Sequence, residues 1–377
     1  MNSKEERIDF MEKQRVSYLE LEGSYEEIGK QLAKITKGQM AVIPSPEYFS
    51  DKELDEAIEL YEMYCPGLAE ELEGYAKECG VSVRDLAFTW MTYLVPRCSG
   101  LVVSGELMND GHTRLIRNYE FSIEQEDLRL CHTKPKGRYA HIGGGVALFG
   151  RTEGINECGL AVSMSSCGIP VSNIDGMRPP KVKGLQFWAV IRSILENCKN
   201  VKEALALAEK MPIAYNINLY LADSDGNGCL IETLDGQFCY EEISCESEKK
   251  HLCGTNHIAI PSFQKFEPFA MRNSLVRLQT IKGFMEKSNT FEERDIKELF
   301  LAKYPEGMSV NCYDEWFGTI KSVVMDTVNC SYQICWFGQK DNGWEEYGFD
   351  NVFENKVLEK QYEKEAADPS FFERVEL

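Results

Sequence analysis

Apolar residues recur at helical spacing through the early part of the chain. Glu26 to Lys37 is rich in helix formers, and Asp51 to Tyr64 carries Leu54, Ile58 and Tyr61 on one face. Pro66-Gly67 interrupts the pattern, which resumes with Leu68, Leu72, Tyr75 and Ala76 and stops at Gly80, a helix-terminating residue. A further short helix is expected from Ser82 to Tyr93, so the first ninety-odd residues read as helical.

The character changes at Cys98. Leu101-Val102-Val103 and Arg114-Leu115-Ile116 are short β-type runs joined through Asn109-Asp110-Gly111, whose residues tolerate the positive φ of a tight hairpin. A second strand pair is expected at Gly145-Val-Ala-Leu-Phe and Gly159-Leu-Ala-Val-Ser, connected through Gly154-Ile-Asn-Glu. Two helices follow, one with Trp188, Ile191 and Leu195 in phase and one from Val201 to Lys210. Strands return at Ile217 to Ala222 and Cys229 to Glu232 across a loop of turn formers. Helices near Ala270 to Glu286 and Phe291 to Ala302 precede strands at Ser322 to Asp326 and Tyr332 to Phe337. The charged tail from Asn351 reads as a peripheral helix. This order fits two β-sheets between helical layers, not an alternating βαβ chain.

Composition narrows the function classes. The 377 residues are 43% hydrophobic, enough for a large core, and carry a formal net charge of −20. A polyanion is repelled by phosphate backbones and anionic headgroups, so nucleic acid and membrane surfaces are not expected partners. No run of about 18 apolar residues suggests a spanning helix. The amino terminus shows no apolar core of signal-peptide length, so the 14 cysteines are expected to be free thiols in a reducing cytoplasm. None forms a Cys-x-x-Cys pair, and most sit in apolar contexts as small core residues.

Cys98 differs from the rest. The hairpin brings a guanidinium (Arg117) and a carboxylate (Glu120) on the returning strand back toward a thiol at the start of the first. An arginine beside a cysteine favours the thiolate, the reactive form.

These and other motifs resemble the acyl-coenzyme A:penicillin acyltransferase-like cysteine N-terminal-nucleophile (Ntn) hydrolases, relatives of penicillin V acylase and bile-salt hydrolase. The resemblance rests on Leu21-Glu-Gly-Ser-Tyr-Glu-Glu-Ile-Gly-Lys-Gln, the stretch from Pro66 to Val81, and Arg117-Asn118-Tyr119-Glu120. It continues through Gly154-Ile-Asn-Glu-Cys-Gly-Leu, Gly254-Thr-Asn256-His257, Asn273-Ser274-Leu-Val-Arg277 and Ser322-Val-Val-Met-Asp. It implies an α+β fold, the αββα four-layer Ntn sandwich over residues 98–377, preceded by a helical prosegment over residues 1–97.

The resemblance also implies roles. The chain would cut itself between Arg97 and Cys98, freeing an α-amine of pKa near about 8 to act as general base. Cys98 would attack an acyl carbonyl and form a thioester. Asn256 would donate its amide to the oxyanion, Arg117 would hold the thiolate, and Glu120 would orient the α-amine. Tyr119 and Arg277 are candidate substrate contacts, although Arg277, on an expected helix, also suits a packing role. The implied partner is a small N-acyl amide or acyl donor, with no cofactor and no metal, and a homo-oligomer is left open. Two positions depart from the family: Arg97 stands where glycine is usual, and Glu120 where aspartate is usual.

Blander readings compete at each position. Cys98 can be one buried thiol among fourteen, Arg117 a strand arginine in an ion pair, and Asn256 a turn residue. His251-x-Cys253-x-x-x-His257 matches no standard zinc spacing. Gly143-Gly-Gly145 lacks the helix and lysine of a phosphate loop and instead suits close backbone approach. A papain-like pairing of Cys98 with His112, His132, His141 or His257 lacks its local signature. A non-catalytic, ligand-binding relative with the same fold is the alternative from another class.

Overall fold

A computed structural model of the chain describes residues 11–36, 49–172, 178–350 and 353–377. The amino-terminal segment read for an export signal, Lys37 at the end of the first expected helix, and Asn351 at the start of the expected tail helix lie outside them. No helix among the described residues is long and apolar enough to cross a membrane.

The expected helices form close to their expected bounds: α1 (Tyr25–Thr36), α2 (Asp51–Tyr64), α3 (Leu68–Cys79), a short α4 (Ala87–Met91), α5 (Phe187–Asn197), α6 (Val201–Ala208), α7 (Arg272–Met285) and α8 (Glu293–Leu301). Local chemistry explains the ends. Ser50 and Glu53 form a reciprocal capping box at α2. Gly80 closes α3 in the left-handed region at φ 72°, where glycine is favoured. The helix expected over Ser82 to Tyr93 is shorter, because Arg84–Leu86 is a 3-10 turn and Thr92 is already extended.

The strands are β1 (Met11–Gly23), β2 (Arg97–Val103), β3 (Arg114–Phe121), β4 (Arg129–Pro135), β5 (His141–Val146), β6 (Gly150–Asn156), β7 (Ala161–Ser166), β8 (Ile217–Ala222), β9 (Gly228–Leu234), β10 (Gln237–Ile243), β11 (His251–Gly254), β12 (Phe269–Met271), β13 (Asn311–Cys312), β14 (Phe317–Asp326), β15 (Ser331–Trp336), β16 (Glu345–Gly348), β17 (Lys356–Glu363) and β18 (Arg374–Glu376). One sheet runs β10-β9-β8-β7-β6-β5-β4-β1-β17, and the other β11-β2-β3-β14-β15-β16, with β13 paired to β14. Period-two burial splits the second sheet. Val102, Leu115, Tyr119 and Val323 join the core shared with the first sheet and α5, whereas Leu101, Val103, Ile116 and Val324 pack under α7 and α8. The result is the expected helix–sheet–sheet–helix sandwich.

Three expectations are corrected. The segment before Cys98 is not wholly helical: β1 lies inside the large sheet, parallel to β4 and antiparallel to β17. Its glutamates (Glu12, Glu20, Glu22) disguise a strand whose Val16, Tyr18, Leu19 and Leu21 are buried only once distant partners arrive. Among the described residues the tail forms no α-helix: its charged stretch Lys356–Glu363 is strand β17 at the edge of the large sheet on β1, followed by a 3-10 turn and β18. Lastly, β5 ends at Val146 and Ala147–Phe149 form the turn, with Ala147 and Leu148 at φ 52° and 65°, while Gly154 to Asn156 belong to β6.

Candidate active site

Hairpin register sets the site. Cys98 pairs with Tyr119, Arg97 with Glu120, and Gly100 with Arg117. Alternation therefore places Cys98, Arg117 and Tyr119 on the face between the sheets, and Arg97 and Glu120 on the face toward α7.

Arg117 is fully buried and donates from Nη2 to Cys98 Sγ at 2.7 Å. Its Nη1 donates to the Thr152 carbonyl at 2.6 Å and to Glu153 Oε2 at 3.0 Å. Tyr119, also fully buried, lies under both Arg117 (4.9 Å to the ring centroid) and Lys321 (4.7 Å). It faces protein cations, not an open surface for substrate.

The sequence reading weighed only the arginine's effect on the thiol. Burial outweighs it: desolvation pushes the Cys98 thiol up to about 12, even though Arg117 draws it down. In the continuous chain Cys98 is therefore a protonated thiol.

On the other face, Arg277 of α7 ties three expected catalytic groups together. It donates from Nη1 to the Cys98 carbonyl (3.3 Å), with Glu120 Oε2 3.7 Å away, and from Nη2 to Asn256 Oδ1 (2.5 Å) and Asn273 Oδ1 (3.0 Å). Arg277 is fully buried, so its place is within the protein framework and not on a substrate-facing surface. Glu120 accepts from Thr319 Oγ1 at 3.3 Å through Oε1, while its buried Oε2 has no hydrogen-bond partner. Burial raises its carboxyl to about 7 against the pull of Arg277 and Arg117. Arg97 is half-buried and has no carboxylate partner among the described residues, and desolvation lowers it to about 10.

Asn256 follows β11, which pairs with β2. Its backbone N–H donates to Ser274 Oγ at 2.8 Å, and its side-chain amide donates to Ser166 Oγ (3.0 Å) and the Ser166 carbonyl (3.2 Å) at the end of β7. With Oδ1 held by Arg277, the amide orientation is fixed and its N–H groups point toward β7.

The histidines are engaged elsewhere. His112 bonds Asp326 (2.8 Å), His257 bonds Ser274 Oγ (2.7 Å), and His132 packs on Phe349 and Phe353. His141 is buried, and desolvation holds it neutral. None of these contacts supports a papain-type dyad. The sequence reading missed Glu153 and Lys321, which stand behind Arg117. The one available signal was a lone charge at an inward-facing position of an apolar strand pattern, as at Lys321 in Thr-Ile-Lys-Ser-Val-Val.

Comparison with the curated proteins returned no match. Among solved structures, a mutant of conjugated bile acid hydrolase from Clostridium perfringens is 12% identical, with 72% of this chain and 98% of that one covered at a TM-score of 0.44. Penicillin V acylase from Agrobacterium tumefaciens is 17% identical over 65% and 76% of the two chains, at a TM-score of 0.36. The family model described as acyl-coenzyme A:6-aminopenicillanic acid acyl-transferase matches residues 107–341, a span that holds Arg117, Tyr119, Glu120, Asn256 and Arg277 and begins after Cys98. With more than half of its length matched, the chain belongs to the acyl-coenzyme A:6-aminopenicillanic acid acyl-transferase family.

Proposed function

We propose that this chain is a cysteine Ntn hydrolase or acyltransferase that opens an N-acyl amide of a small molecule or peptide through a thioester on Cys98, after cleavage of the Arg97–Cys98 bond. The observation that carries the reading is the Arg117–Cys98 contact at 2.7 Å, made by a guanidinium whose other arm is fixed.

Cleavage would give Cys98 an α-amine with a pKa near about 8. That amine takes the thiol proton as Sγ bonds to the substrate carbonyl carbon, Arg117 balances the sulfur charge, and Asn256 donates to the oxyanion. Collapse breaks the C–N bond, the leaving amine receives the proton, and water or a second amine then takes the acyl group from the thioester. The unsatisfied Glu120 Oε2 supports this account, because an α-ammonium on Cys98 is the kind of donor it lacks.

The burial of Cys98 favours one second reading, an unprocessed ligand-binding relative. A panel of N-acyl amides assayed with wild type and Cys98→Ala separates the two. Turnover lost in the variant supports the enzyme, whereas no turnover by wild type supports the binder.

A further inference from the structure

Behind the Arg117–Cys98 contact lie buried charges that this reaction does not use. Glu153 accepts from Arg117 and from Thr152 Oγ1 (2.7 Å) on one oxygen, and from the Gly144 N–H (3.1 Å) and Tyr332 OH (2.9 Å) on the other. Lys321 Nζ stands 3.6 Å from Glu153 Oε1 and 3.5 Å from Glu126 Oε1. All three side chains are sealed from solvent. A Cβ at residue 144 would meet Lys321 Nζ at 2.2 Å and Glu153 Oε1 at 2.4 Å, so glycine there leaves room for this pair. Inward from the sulfur the charges alternate, Arg117, Glu153 and Lys321, and a thiolate formed at Cys98 would extend the series.

We propose that Glu153 and Lys321 are positioning residues that set how much of the Arg117 guanidinium is available to the Cys98 thiolate. The proposal rests on Cys98 being the nucleophile. Glu153 competes with the sulfur for Arg117, and Lys321 competes with Arg117 for Glu153. Low dielectric makes both couplings strong. Arg97, Glu120 and Arg277 also bear on Cys98 from the other face and stay unchanged in the test.

Neutralising either residue should shift thiolate formation in opposite directions, which general loosening of the fold cannot do. The experiment is the rate of iodoacetamide labelling at Cys98 in the full chain at pH 8, read by peptide mass. Glu153→Gln, nearly isosteric, should label about tenfold faster, and Lys321→Met about tenfold slower, each corresponding to about one unit in thiol pKa. Lys321→Arg should stay near wild type. Should Lys321→Met not fold, Lys321→Gln carries the same prediction. Shifts of the same sign, no shift, or no labelling at Cys98 in any of these proteins would overturn the proposal. Full amidase activity in Cys98→Ala would instead defeat the nucleophile reading, whatever the labelling shows.

Discussion

Arg117 joins Cys98 to Glu153: one arm of its guanidinium reaches the sulfur at 2.7 Å while the other reaches the carboxylate at 3.0 Å. A lysine is a single point charge and cannot span both. Arg117→Lys should therefore cost at least about a hundredfold in kcat/KM, if a misaligned charge loses what a lost transition-state donor does. Arg117→Met should also lower stability, by up to about 3–5 kcal/mol, because buried Glu153 loses the closer of its two cations and keeps only Lys321 at 3.6 Å. Kinetics and urea unfolding of both variants check this, and an active Arg117→Lys would argue against a direct role.

The second prediction concerns the oxyanion. Asn256 has its amide oriented by Arg277 and its backbone by Ser274. Asn256→Ala should reduce kcat by about 10²–10³ with little change in KM. A loss confined to KM would assign Asn256 to substrate binding instead.

The segment before Cys98 should remain bound after cleavage. Arg192 on α5 pairs with Glu71 on α3 and with Glu196 (2.8 Å), Tyr25 OH donates to Glu196 at 2.9 Å, and β1 lies in the large sheet. The two fragments should co-elute in size-exclusion chromatography. Glu71→Ala leaves Arg192 underpaired and should cost about 3–5 kcal/mol in urea unfolding. Separation of the fragments without denaturant would show that the segment is a detachable leader.

Glu232 makes a prediction about pH. Burial raises its carboxyl from 4.5 to about 7, so the folded protein holds this proton through a window in which the unfolded chain releases it. Stability from this group therefore falls as pH rises from about 4.5 to 7. Relative to Glu232→Gln, wild type should lose up to about 3 kcal/mol across that window, from 2.5 units at 1.36 kcal/mol each. Parallel stability–pH curves for the two proteins would contradict it.

Local patterns disclosed most of the helices and the β2–β3 hairpin, because helical spacing and turn residues act over a few positions. The site was legible where the hairpin made it so: a turn near residue 110 brings Arg117 and Tyr119 to Cys98. What stayed hidden depends on partners far along the chain. β1 and β17 pair with each other across more than 300 residues, and neither carries an apolar run of its own. Glu153 and Lys321 come from strands of different sheets and become neighbours only when the sheets stack. The state of the thiol was hidden for the same reason. A nearby arginine can be read from the sequence, but the burial that outweighs it belongs to the completed core.

The most direct test of the account is the intact mass of purified wild type beside Cys98→Ala. Self-processing predicts wild-type fragments of 97 and 280 residues, divided at Arg97–Cys98 of the 377-residue chain, while the variant stays whole. A wild type that remains a single chain yet hydrolyses N-acyl amides, or a variant that is cut like wild type, would contradict a nucleophile freed by its own attack.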